Sequence, residues 1–167
     1  MRFQSGDDVV HPDYGVGSIV RLEERQLAET HLRWYYVLAI DTTTTVWVPV
    51  HADGSTTLRA VIAKRDLDQY RAVLRGRPAT LDHNPNKRRL DIKERLAHGS
   101  FQVTCEVVRD LASLGWYQRV SDVDAALLQK VRANLEREWA VATGLSAADT
   151  TREIDALLQT GRNAYKT

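Results

Sequence analysis

Three cationic side chains in succession, Lys87-Arg88-Arg89, follow Asn84-Pro85-Asn86 near the middle of this 167-residue chain, and no other stretch is as densely positive. Their chemistry would be phosphate binding. Guanidinium and ammonium groups pair with phosphate oxygens in contacts that position a nucleic-acid backbone without reading its sequence. Pro85 suits the first turn of a helix, so the cations fall at a helix start. There the helix dipole favours anions, and clustered cations are mildly unfavourable unless a partner brings negative charge. A phosphate backbone is one such partner. A solvated basic loop is the plainer alternative.

Other chemistry is sparse. The histidines His11, His31, His51, His83 and His98 are scattered without metal-ligand spacing, and the single cysteine, Cys105, falls on an apolar helical face. No metal, no cofactor and no catalytic constellation is expected. Gly15-Val16-Gly17 resembles part of a phosphate loop but lacks the third glycine and precedes a strand, not a helix. Paired acids such as Glu23-Glu24 and Glu136 with Glu138 lie in a polar loop and on a helix surface. Trp34, Tyr36 and Trp47 would have to converge to cage a methylated ammonium, and sheet packing explains them more simply.

Net charge is +1, so bulk charge excludes nothing, but its distribution is uneven. Between Lys64 and Arg95 basic residues outnumber acids ten to five, whereas up to Ile62 acids lead eight to five. Such asymmetry suggests a nucleic-acid face on one part only. No stretch resembles a signal peptide and no apolar run could span a bilayer, so a cytoplasmic protein without membrane contact is expected.

The elements that must position these residues divide into two kinds. Up to residue 62 the chain reads as short strands and tight turns. Val9-Val10 is a strand, and His11 to Gly17 is a tight connection in which Gly15 and Gly17 allow positive φ. A second strand follows from Ser18 to Leu22. Glu23 to His31 is read as a polar hairpin loop whose strand ends can extend into solvent. Trp34 to Ile40 alternates, with Trp34, Tyr36, Leu38 and Ile40 on one face. Asp41 to Thr44 turns the chain into Val46, Val48 and Val50, and Pro49 marks a strand end or sheet edge. If those valines face the core, Trp47 is exposed, as partner-contacting tryptophans often are.

Beyond this, Asp66 can cap a short helix with Leu67, Tyr70, Val73 and Leu74 on one face, and a polar linker runs to Pro85. Further helices are expected from Asn86 to His98, from Ser100 to Gly115, from Ser121 to about Thr143, and after Ser146. Both Ser121 and Ser146 open the capping pattern of serine with an acid three residues on. Leu127, Leu128, Val131, Leu135 and Trp139 form the stripe of the longest helix. The fold class is α+β: an SH3/Tudor-like β-barrel over residues 1–62, a short helix and linker over 63–85, and an α-helical bundle over 86–167.

Phe3, Gly6-Asp7, Val9-Val10, Pro12, Gly15 and Gly17 resemble the opening of the CarD/CdnL transcription regulators of bacteria, an opening shared with the polymerase-binding module of the transcription-repair coupling factor. Leu96-Ala97-His98-Gly99-Ser100 and Glu106-Val107-Val108-Arg109-Asp110-Leu111 are similar to a second segment of that family. The two matches keep the family's order and separation, from Phe3 to about Leu158.

The resemblance implies a Tudor-like domain that docks on the RNA polymerase β subunit and a helical domain that contacts promoter DNA at the upstream edge of the melted region. It implies no small-molecule substrate. On the polymerase side it points to Arg25, and to Trp47 and Pro49 on a strand where the family often has a basic residue. On the DNA side it points to Asn84, Pro85, Lys87, Arg88, Arg89 and Lys93. The family commonly reads Asn-Trp-x-x-Arg where this chain reads Asn84-Pro85-Asn86-Lys87-Arg88. Proline lacks an aromatic face, so phosphate contact is expected to outlast any wedging role. A protein-only adaptor is the alternative.

Overall fold

The computed structural model describes residues 2–26 and 31–167. The chain divides into two compact units, Met1–Val61 and Ile62–Thr167.

The first unit is an antiparallel sheet of β1 (Asp8–His11), β2 (Gly15–Arg25), β3 (Arg33–Ala39), β4 (Thr45–Pro49) and β5 (Arg59–Ala60), in the order β4-β3-β2-β1-β5. Alternation sorts one face into a core of Val9, Ile19, Tyr36, Leu38 and Val48, joined by Phe3, Val50 and Leu58 from the flanking segments. The Tyr36 hydroxyl is buried in that core and accepts the Phe3 N–H at 3.1 Å, so the polar tip is satisfied. A register shift between Ile19 and Arg21 bends β2, as bulges do. The ladder leaves β4 and β5 as edges, and Pro49, with no N–H to donate, closes an edge strand.

Three details differ from the sequence expectation. The β2–β3 hairpin stays paired as far as Arg25 opposite Arg33, so Glu23 and Glu24 belong to strand; part of the expected loop, residues 27–30, lies outside the described residues. Gly15 has φ 77°, as a tight turn requires, but Gly17 does not have positive φ. Gly17 is instead a close approach. A Cβ there would meet the Ala39 carbonyl oxygen and Leu38 Cγ, each at 2.9 Å. Trp34, expected on the core face, is 41% exposed because β3 outruns the core at that end.

The second unit is helical: a single 3₁₀ turn (Lys64–Asp66), then α1 (Leu67–Leu74), α2 (Pro85–Ala97), α3 (Phe101–Leu114), α4 (Asp122–Thr143) and α5 (Ala147–Tyr165). Serine caps start three of these helices. Ser100, Ser121 and Ser146 each accept the N–H three residues on. Asp66 makes no such bond, and the 3₁₀ turn leads into α1 instead. Gly144 ends α4 at φ 76°.

Packing centres on α3, which buries Phe101, Cys105, Val107, Val108, Asp110 and Leu111. Trp139 of α4 is fully buried beside Phe101, at 6.2 Å between ring centroids. Its indole N–H donates to Glu153, whose other carboxylate oxygen holds Arg71 at 2.7 Å. Val131 and Leu135 are buried with it, and Leu127 and Leu128 pack half-buried at the margin. Each fully buried Leu or Ile in such a cluster contributes about 1.5–3 kcal/mol by burial. The expected short helix, α1, joins the same core through Leu67 and Leu74.

Candidate functional site

Two clusters of expected site residues can be followed, one in each unit. In the sheet unit, strand register places Arg21, Val37 and Trp47 side by side on the face away from the core. Glu23, Tyr35 and Pro49 form the next row on that face. The Arg25 guanidinium stands over the Trp47 ring, 5.1 Å from its centroid. Glu23 ties the group together, with Arg21 at 2.9 Å and Arg25 at 3.3 Å. The Arg21 hydrogen bond outweighs burial and holds the Glu23 carboxyl below its usual range. Trp47 is 38% exposed, as the alternation of its strand requires, while Tyr35 and Val37 are buried. Arg25, Trp47 and Pro49 therefore share one face. Glu23 and Tyr35, which sequence reasoning did not select, belong to it through cross-strand register.

In the helical unit, Asn84 is the N-cap of α2. Its side-chain carbonyl accepts from the N–H groups of Asn86 and Lys87, at 3.0 and 3.2 Å, and Pro85 opens the first turn. Asp82 in turn accepts from the Asn84 N–H at 2.8 Å. The main-chain donors that could have held an anion here are thus already engaged, and phosphate contact falls to the side chains.

The three cations at the helix start meet carboxylates of their own chain. Arg88 is only 11% exposed; it pairs with Asp124 of α4 at 2.6 Å and donates to the Asp82 carbonyl at 2.8 Å. Arg89 reaches the second oxygen of the same carboxylate at 3.1 Å. Lys87 is 67% exposed, with Asp82 at 3.4 Å. Lys93 is exposed on the same helix. The acid of the Ser121 capping pattern accepts from the Ser121 hydroxyl at 3.1 Å and is not confined to the cap. Asp124 turns toward α2 and bridges the two arginines.

Burial alone would raise the Asp124 pKa. The hydrogen bonds from Arg88, Arg89 and Ser121 outweigh burial and hold the carboxyl below its ordinary value. A carboxyl whose folded pKa is depressed stabilises the fold above its unfolded pKa, near 4, and that stability is lost as pH falls through the folded value. The helical unit is expected to weaken on acidification below about pH 4, and Asp124→Asn to flatten that dependence, read by urea unfolding at several pH values.

The linker before Asn84 is tethered by the Arg109-Asp110 pair. Fully buried Asp110 accepts from the Ala79 N–H at 3.0 Å and from Arg109 at 2.9 Å, and Arg95 lies 3.9 Å from its other oxygen. Arg109 donates onward to the Val73 carbonyl at 3.4 Å. Both residues lie in the second segment of the family resemblance, and neither was selected as a site residue. Burial pushes the Cys105 thiol pKa up, which suits a core residue and not a nucleophile. No three His, Cys, Asp or Glu side chains among the described residues gather as a metal site would require, and no described helix is long and apolar enough to cross a membrane.

A sheet unit with an outward aromatic–arginine cluster, followed by helices that hold a capped basic segment, matches a two-domain class of protein. A family model described as CarD-like/TRCF RID domain matches residues 3–62, and one described as CarD, C-terminal domain, matches residues 69–155. The chain belongs to the CarD-like family. It is also similar to YdeB of Bacillus subtilis (strain 168), a provisionally named transcription factor, with 25% identity over 151 residues that cover 86% of this chain and 94% of that protein. Family and relative together support a role in transcription regulation.

Proposed function

We propose that this chain is a non-enzymatic transcription regulator that docks on the RNA polymerase β subunit and touches promoter DNA at the upstream edge of the melted region, modulating open-complex stability. It acts in the bacterial cytoplasm, on the nucleoid. The observation that carries the reading is the pair of family matches, one on each unit and in the family's order. The docking face is the Arg25–Trp47–Pro49 cluster of the sheet. On the DNA side, Lys87 and Lys93 supply the phosphate contacts, while Asn84 and Pro85 start the helix that presents them. Arg88 and Arg89 fix that helix through Asp124, and Arg89, the more exposed of the two, keeps donors for phosphate.

A protein-only adaptor is the second reading, favoured by the internal pairing of Arg88 and Arg89. The double change Lys87→Ala, Lys93→Ala separates the two. If both lysines meet phosphates, the slope of log affinity against log salt for the polymerase–promoter complex falls by roughly two, about one per lysine. An unchanged slope would leave the adaptor.

A further inference from the structure

A groove of about 710 Å³ opens in the helical unit, walled by the segment from Arg77 to Pro85, the connection between α3 and α4, and Tyr165 near the end of α5. Trp116 and Tyr117 line it together, with ring centroids 6.5 Å apart at an interplanar angle of 64°. Tyr165 lines it beneath the Arg77 guanidinium, 4.8 Å from the ring centroid. Trp116 is half-buried, and its indole N–H makes no hydrogen bond among the described residues.

The charge around the groove has one sign left over. Asp82 and Asp124 both line it, but Asp82 is engaged by Lys87 and by the Asn84 N–H, and Asp124 by Arg88 and Arg89. Among the described residues, Arg77 is held only by its stacking on Tyr165. Arg119 has Asp122 at 4.0 Å with both side chains more than 90% exposed, so water screens that pair. Lys166 adds a further cation 5.6 Å from the Tyr117 ring. Flat aromatic faces set among unspent cations form the combination that holds single-stranded nucleic acid: the rings stack on bases whatever their identity, and the cations follow the backbone.

We infer that this groove takes an unstacked base of single-stranded DNA, with Trp116 as the stacking ring and Arg77 and Arg119 as the backbone contacts. The inference rests on the DNA-facing role proposed above, because Pro85, two residues before Lys87, lines the same groove. It adds a preference for melted over paired DNA that phosphate contacts alone do not give.

The test compares the full chain binding a forked DNA, with one unpaired thymine arm, against the same duplex fully paired. The fork is expected to bind about tenfold tighter, in the range that stacking of one base supplies. Trp116→Ala should remove this preference and leave duplex affinity unchanged. A second arm of the experiment uses the unaltered protein and a fork whose unpaired positions are abasic, so it does not depend on the variant folding; the preference should vanish there as well. A preference that survives either change overturns the inference. Duplex binding without any preference for the fork overturns the groove alone, and absence of binding to both overturns the DNA-facing role with it.

Discussion

Arg88→Ala is expected to lower the unfolding free energy by about 3 kcal/mol, because it strands a carboxylate inside the helical unit. Asp124 is 2% exposed, so water cannot replace the lost guanidinium. Arg89 and Ser121 would still reach that carboxylate, which keeps the loss at the lower end of what breaking a buried pair costs. Arg88 also spans from Asp124 to the Asp82 carbonyl, a reach that needs two separated donors on one planar group. Arg88→Lys should therefore recover only part of the loss. Arg89, at 29% exposed, should cost about 1 kcal/mol when cut to alanine. Urea unfolding followed by helical circular dichroism reads these values. A double-mutant cycle with Asp124→Ala isolates the pair itself. Acidification should shrink the Arg88→Ala penalty, since a protonated Asp124 no longer needs the cation. A stability equal to that of the unaltered protein would mean that Arg88 is free for other work.

The second large effect is expected at the sheet face. Trp47→Ala should weaken binding to the isolated β-subunit lobe by about thirtyfold, or roughly 2 kcal/mol, as truncation of a central aromatic anchor does. Its indole is partly exposed and carries Arg25 on its face, so one substitution removes burial and unsettles that charge. Arg25→Ala should cost less, because the guanidinium lies over the ring and is itself exposed. Neither change touches the Tyr36–Leu38–Val48 core, so the unfolding transition should not move. Binding titrations against the β lobe decide the matter, and equal affinity for both proteins would remove this face from the docking surface.

Much of this fold could be read from local pattern, and the failures that bear on the site share one cause. Period-two alternation placed Tyr36, Leu38, Val46 and Val48 inside and Trp47 outside, because side-chain direction along a strand is a property of neighbouring residues. The serine caps at Ser100, Ser121 and Ser146 were equally local. What the sequence could not show is pairing across long separations. Arg88 and Asp124 are 36 residues apart, and nothing near Arg88 announces that a buried carboxylate waits for it. The basic run therefore read as three free cations seeking an external anion, whereas two of them are already partnered. Gly17 read as conformational freedom, yet its requirement comes from the Ala39 carbonyl on a neighbouring strand. The groove around Trp116 was invisible for the same reason, since its walls come from segments nearly ninety residues apart in the chain.

In the proposed function one chain joins the polymerase to the upstream edge of the melted promoter. Its most direct test is a strand-resolved cleavage footprint of a polymerase–promoter complex, with the unaltered chain, with the Lys87→Ala, Lys93→Ala variant, and without either. Added protection at the upstream bubble edge is expected with the unaltered chain, reduced by the double variant although the chain remains bound to polymerase. Polymerase binding with no change in the footprint would contradict it.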